Sequence, residues 1–133
     1  MSAEKVTYLD SSAIVKLVVH EPESSALQAH LRRRRPLVSS ALARTEVIRA
    51  LLPLGAPAMH QGNDVLGRID LLRINDHILR AAGELEPAEL RSLDAIHLAS
   101  AQQFGAELRH LVTYEVRMVQ GARLLGLRTT SPV

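Results

Sequence analysis

Short apolar runs alternate with helical patterns along nearly the whole chain, and this alternation limits the fold more than any other feature. Runs suited to strands lie at Val6–Leu9, Pro36–Ser40, Ile69–Ile74, His110–Glu115 and Leu127–Thr130. Between them lie helical patterns, from Asp10 to Val19, from Pro22 to Leu31, and from Ala41 to Leu54 with a stripe of Leu42, Val47, Ile48, Leu51 and Leu52. A shorter helix is expected near Ala58–Leu66, then one capped by Asn75-Asp76, one opened by Ser92 and a last one after Glu115 that Gly126 closes. Strands alternating with helices of about 10–15 residues predict a parallel sheet. No internal repeat or low-complexity segment interrupts the pattern, so the 133 residues read as a single domain over 1–133.

Composition narrows the class. With 47% hydrophobic residues, the chain has material for a packed core. It has no cysteine, which excludes disulfides, thiolate zinc sites and cysteine nucleophiles. No signal peptide is visible, and no apolar run approaches the ~18 residues that span a bilayer. A soluble, cytoplasmic protein with no membrane partner is expected. The net charge is +2 and nearly all the cations are arginines, only Lys5 and Lys16 being lysine. The run Arg32–Arg35 reads as a solvated helix terminus that complements the helix dipole. Tyr8, Tyr114 and Phe104 are the only aromatic residues, too few for a base-stacking platform. An RNA ligand would have to be held by its phosphates.

Four acids stand out. Asp10 ends the first strand, where an open α/β sheet presents residues to a ligand crevice, although an N-cap role explains it equally simply. Glu46 borders the apolar stripe of its helix, so it faces either a partner or solvent beside Arg49. Asp94 falls in the first turn of a helix whose Leu93, Ile96, Ala99 and Ala101 suggest burial. His97, one turn further on, is read as a surface residue in preference to one supporting the acids. Glu115 repeats the arrangement of Asp10, with an acid at the end of a short apolar run. Together they predict one crevice lined by carboxylates from four distant parts of the chain. Such a cluster repels itself without a cation, and its hard oxygen ligands select Mg²⁺ or Mn²⁺. No phosphate-binding glycine loop and no G-x-S-x-G elbow competes with this reading.

The strings L-D-S-S-A at Asp10, A-R-T-E-V-x-R-A at Glu46, S-L-D-A-I-H-L-A at Asp94 and L-V-T-Y-E-x-R-M at Glu115 resemble the PIN-domain ribonucleases. The closest likeness is to the VapC toxins of prokaryotic toxin–antitoxin modules. The resemblance extends to the closing L-L-G-L-R-T-T-S-P and so covers essentially the whole chain. It implies a three-layer α/β/α fold with a central five-stranded parallel sheet, and a Mg²⁺-dependent endoribonuclease for which Mn²⁺ substitutes. By position, Asp10 and Asp94 would be the principal metal ligands, and Glu46 would act through water or a second metal. Ser11 and Thr113 would supply hydrogen bonds. The fourth acid of the family is usually Asp, whereas this chain has Glu115. Arg44 and Arg117 would meet the RNA backbone or pair with the acids. The resemblance further implies an RNA substrate such as tRNA or rRNA, a VapB-type antitoxin, a homodimer and a higher toxin–antitoxin assembly. The helices at Ile14–Val19 and Val47–Leu52 would supply interfaces.

Two rivals remain at this stage. One is a PIN-like binding module with catalysis lost at Glu115. The other, a phosphoacceptor receiver domain, needs a lysine ending its last strand, and neither lysine is near one.

Overall fold

The computed structural model describes residues 5–133. Its five strands are β1 (Val6–Leu9), β2 (Leu37–Ser40), β3 (Asp70–Leu72), β4 (Leu108–Val112) and β5 (Thr129–Thr130). All pair in parallel, in the order β3-β2-β1-β4-β5. Among the described residues the helices are α1 (Ser11–Val18), α2 (Ser24–Leu31), α3 (Ala43–Leu51), α4 (Ala56–Leu66), α5 (Asp76–Gly83), α6 (Ser92–Gln102) and α7 (Val116–Leu124). Neither α1 nor any other described helix is long and apolar enough to cross a membrane.

Side chains on successive strand residues point to opposite faces, and this assigns the two helical layers. Leu9, Leu37 and Val112 pack with Ile14, Leu27, Val47, Leu51 and Leu66 of α1–α4. Their neighbours Tyr8, Val38 and Leu111 pack with Leu98, Met118 and Ala122 of α6 and α7. Helix α5 joins the second layer through Ile78 and Ala82, which meet Ala95 and Ala99. The α/β/α layering expected from the family likeness is therefore present.

The chain leaves β1 toward β2 and β3 on one side, then returns to the other side of β1 as β4. The reversal opens a crevice between the carboxyl ends of β1 and β4, the general ligand position in open α/β sheets. Asp10 and Thr113 are the residues immediately after those two strand ends.

Local boundaries differ from expectation in instructive places. The final β4–α7 connection is longer than expected: Glu115 lies three residues beyond β4, at the N-cap position of α7. Arg91, not Ser92, occupies the N-cap of α6. In α1 and α3, Ile14, Val47 and Leu51 lie in the core, while Val15, Leu17, Val18 and Ile48 are only partly buried. Leu52, the last residue of the expected Val47–Leu52 interface, is exposed together with Leu54 in the single 3-10 turn that follows α3. Arg32, Arg33 and Arg35 are exposed, and Arg34 donates from Nη1 to the His30 carbonyl at 2.8 Å, a cation on a helix carboxyl end as expected.

Helices α6 and α7 approach closely at Gly121, where a Cβ would fall 2.7 Å from Leu98 Cδ1. Leu98 is fully buried and has little room to yield. Gly83, the last residue of α5, has nothing within 4 Å of a built Cβ. Gly83→Ala is expected to stabilise the fold by about 0.5–1 kcal/mol through helix propensity. Gly121→Ala is expected to destabilise it, because overpacking of about 1–3 kcal/mol exceeds that gain. Paired thermal melts of the two variants check both signs.

Candidate active site

Asp10 is 2% exposed, a depth at which an ionised carboxylate needs several donors. It has three. Its Oδ1 accepts from the Ser12 hydroxyl at 2.6 Å and from the Ala13 amide at 3.0 Å, and its Oδ2 accepts from Thr113 Oγ1 at 2.5 Å. The two readings of Asp10 thus coincide: it caps α1 and it ends β1 at the crevice. A carboxylate offers about four acceptor positions. Oδ1 is saturated, and Oδ2 retains one position for a further ligand. Burial nevertheless raises its pKa, against the lowering by the Ser12 and Thr113 hydrogen bonds.

Glu46 is half-buried on α3 and turned toward the crevice rather than toward Arg49. Its Oε1 accepts from Ser11 Oγ at 2.5 Å and from His97 Nε2 at 2.6 Å. Partial burial works to raise its pKa, but the hydrogen bonds and charge of His97, with Ser11, hold it below the ordinary glutamate value. Oε2 is the oxygen these two donors leave open.

His97 departs most from the sequence reading. It is buried, 2% exposed, and lies between Glu46 and Tyr8 instead of on the surface. A carboxylate only accepts, so Nε2 carries the proton given to Glu46. Nδ1 then faces the Tyr8 hydroxyl at 2.7 Å. Tyr8 is fully buried, and burial pushes its phenol pKa strongly upward, so its hydroxyl keeps its proton beside Nδ1. The sequence signal for this lay in α6. Asp94, His97, Leu98 and Ala101 follow the i, i+3, i+4, i+7 spacing of one helix face. Of the residues that suggested burial, Ala99 and Ala101 are buried and Ile96 packs against the core, while Leu93 is 47% exposed.

Asp94 and Glu115 complete the lining. Asp10, Glu46, Asp94 and Glu115 all border one crevice of about 240 Å³, together with Ser11, Ser12 and His97. Asp94 is half-buried; burial raises its pKa first, and the charges of Glu115, Asp10 and Glu46 raise it further, against a lowering by His97. Glu115 is exposed at the rim. Among the described residues neither Asp94 nor Glu115 forms an ion pair, and neither do Arg44 and Arg117, both exposed. The arginines therefore do not neutralise the acids. Also among the described residues, no three acids or histidines stand close enough together to enclose a metal ion. The donor set is nonetheless all-oxygen and anionic, with open acceptor positions on Asp10 and Glu46, which is the chemistry of a hard divalent cation.

Thr113 receives the Glu115 amide on the same oxygen that donates to Asp10. Thr113→Val keeps the shape and removes both bonds. It is expected to cost about 1–3 kcal/mol, because a buried carboxylate oxygen loses its only donor among these contacts. Thr113→Ser should recover most of that loss in denaturant unfolding.

Comparison with known proteins places this geometry. The profile of the family described as PIN domain matches residues 7–123. Ribonuclease VapC46 of Mycobacterium tuberculosis is 56% identical over 125 residues, covering 94% of this chain and 96% of that protein. The crystal structure of M. tuberculosis VapC20, described as a sarcin–ricin loop cleaving toxin, superposes with a TM-score of 0.74 at 13% identity, covering 95% of this chain and 99% of the other. A toxin–antitoxin complex from Klebsiella pneumoniae gives 0.71 at 19% identity, covering 96% of this chain and 98% of that one. The chain belongs to the PIN-domain family and to its VapC-type members.

Proposed function

We propose that this protein is the toxin of a toxin–antitoxin module, an endoribonuclease that hydrolyses RNA phosphodiester bonds at the acidic crevice with Mg²⁺, for which Mn²⁺ substitutes. The observation that carries the reading is the meeting of Asp10, Glu46, Asp94 and Glu115, from four distant segments, at the switch point of the sheet. The 56% identity to a named ribonuclease supports the reaction class.

Asp10 and Asp94 would hold the ion, since Mg²⁺ takes one or two carboxylates directly and keeps several waters. Bound there, it would stabilise charge on the phosphate oxygens and lower the pKa of an attacking water. Glu46, held ionised by His97 and Ser11, is suited to accept a hydrogen bond from that water on Oε2 and so orient it. Its depressed pKa makes it a poor store for the water's proton. Glu115 carries one more methylene than the Asp usual in the family and lies at the open rim, where it would act through water. His97 and Tyr8 are positioning residues in this scheme. Arg44 and Arg117 are free to meet RNA phosphates, with tRNA and rRNA as the substrate class.

A VapB-type antitoxin is the partner this reading requires, because toxin–antitoxin complexes are among the solved structures of the same fold. A homodimer within a higher toxin–antitoxin assembly follows from the same membership.

Asp94→Asn separates the electrostatics from the chemistry. Asp94 has a raised pKa in the fold, so its stability cost appears as pH rises above the ordinary aspartate value and is fully present above the folded pKa. Removing the charge is expected to raise the Tm of the cation-free protein at pH 7; each ~1 kcal/mol gained corresponds to about 4 °C for a domain near this size. Mg²⁺ should raise the Tm of the parent protein and not that of the variant, and the variant should lose RNA cleavage. A fully active variant removes Asp94 from the site. Glu115→Asp is expected to retain or increase cleavage in the same assay, and a large loss would show that the longer side chain is required.

A further inference from the structure

A second hollow of about 260 Å³ opens beside the acidic crevice and shares Glu46, Asp94 and Glu115 with it. Its other walls are Arg91 and Arg117, with Leu93. Arg91 is the N-cap of α6, three residues before Asp94, and Arg117 is in the first turn of α7, two residues after Glu115. The two helix starts thus deliver one acid and one arginine each to the same place. Both arginines are exposed, and among the described residues neither pairs with the carboxylates that share the hollow. Two guanidinium groups left free at the edge of four carboxylates are available for an external anion.

Resting on the proposed nuclease reading, we infer that Arg91 and Arg117 form a phosphate subsite that holds the RNA backbone one step away from the bond being cut. A guanidinium presents a planar fork that matches two phosphate oxygens, and two forks from different helices fix the direction of the strand. Leu93, 47% exposed in the same wall, gives the adjoining nucleoside an apolar surface in a chain with almost no aromatic side chains. Arg44 is exposed on α3 and does not line this hollow, so the subsite separates Arg117 from Arg44 as contacts. Arg91 was not singled out from the sequence.

The test uses the full chain and a short single-stranded RNA that it cleaves. Cleavage kinetics are followed for the parent, Arg91→Gln, Arg117→Gln and the double variant. Binding is measured without cleavage, on the same RNA in the Asp94→Asn background, across a range of salt. Arg33→Gln, exposed before the amino end of β2 and remote from the crevice, is the control. Each crevice variant is expected to raise KM about tenfold with kcat within about threefold. The double variant should reduce the slope of log affinity against log salt by about 1.4, the loss of two single-strand phosphate contacts. The control should leave KM unchanged. An unchanged slope and KM in the double variant, with the parent still cutting RNA, overturns the subsite and leaves the nuclease reading intact. A fall in kcat alone overturns it too, since it would place the arginines at the reacting phosphate. A parent protein that neither binds nor cuts any RNA overturns both.

Discussion

A carboxylate with almost no contact with water sits where two parallel strands diverge, and the hydrogen bonds that make Asp10 tolerable also join the elements around it. Ser12 and the Ala13 amide belong to α1, and Thr113 follows β4. Ser12 additionally receives the Tyr114 amide at 3.1 Å, and the Asp10 amide donates to the Val112 carbonyl at 3.2 Å. One buried charge thereby fixes the start of a helix, the end of its own strand and the exit of the neighbouring strand. Leaving any of these donors unpaired with Asp10 would bury an uncompensated charge, the most expensive error a core can contain. The crevice is consequently rigid on its inner side.

The second rigid element is the chain Tyr8–His97–Glu46–Ser11. It spans the sheet edge, linking α6 to α3 through residues that are 89, 51 and 35 positions apart in sequence. Tyr8 anchors one end through its deeply buried hydroxyl, which meets His97 Nδ1, while His97 Nε2 donates to Glu46. Asp94 has no comparable support. It meets mainly other carboxylates, so the inner wall of the crevice is ordered by hydrogen bonds while the outer wall is under electrostatic stress. This division suits the proposed site, in which Asp10 is already held in place and the charge of Asp94 is unfavourable until a cation offsets it.

Much of this architecture was legible before any coordinates. The alternation of strand and helix signals predicted the parallel sheet, and the family likeness added the helices on both faces. The acids themselves were visible as charges where burial was expected. What stayed hidden depended on phase and reach. Leu93 and His97 are four residues apart and share one face of α6, and composition favoured burying the leucine. Only the hydroxyl of Tyr8 and the carboxylate of Glu46, both remote in sequence, make the histidine the buried residue. Glu46 was ambiguous for the same reason, because a side chain at the border of a stripe is assigned by its partners. Arg91 was invisible because a helix N-cap is a property of backbone geometry, and its relation to Arg117 exists only once α6 and α7 start side by side.

Charge distribution ties these parts together. The chain carries a net charge of +2, yet its four crevice acids form a local negative site. A polyanion approaching that site alone would be repelled, since like charges in a low-dielectric cleft interact more strongly than in water. Arg91 and Arg117 border the acids and, among the described residues, form no ion pair with them, so positive charge stands at the rim without neutralising the site. Had Arg91 or Arg117 paired with Asp94 or Glu115, the crevice would have been quieter and the outer acids would have lost their demand for a cation. Each helix start brings one acid and one arginine to the same hollow, Asp94 with Arg91 and Glu115 with Arg117, and among the described residues neither pair forms an ion pair. The arrangement holds carboxylates and guanidinium groups beside one another in an unpaired state, which suits the proposed uptake of a cation and an anionic strand together.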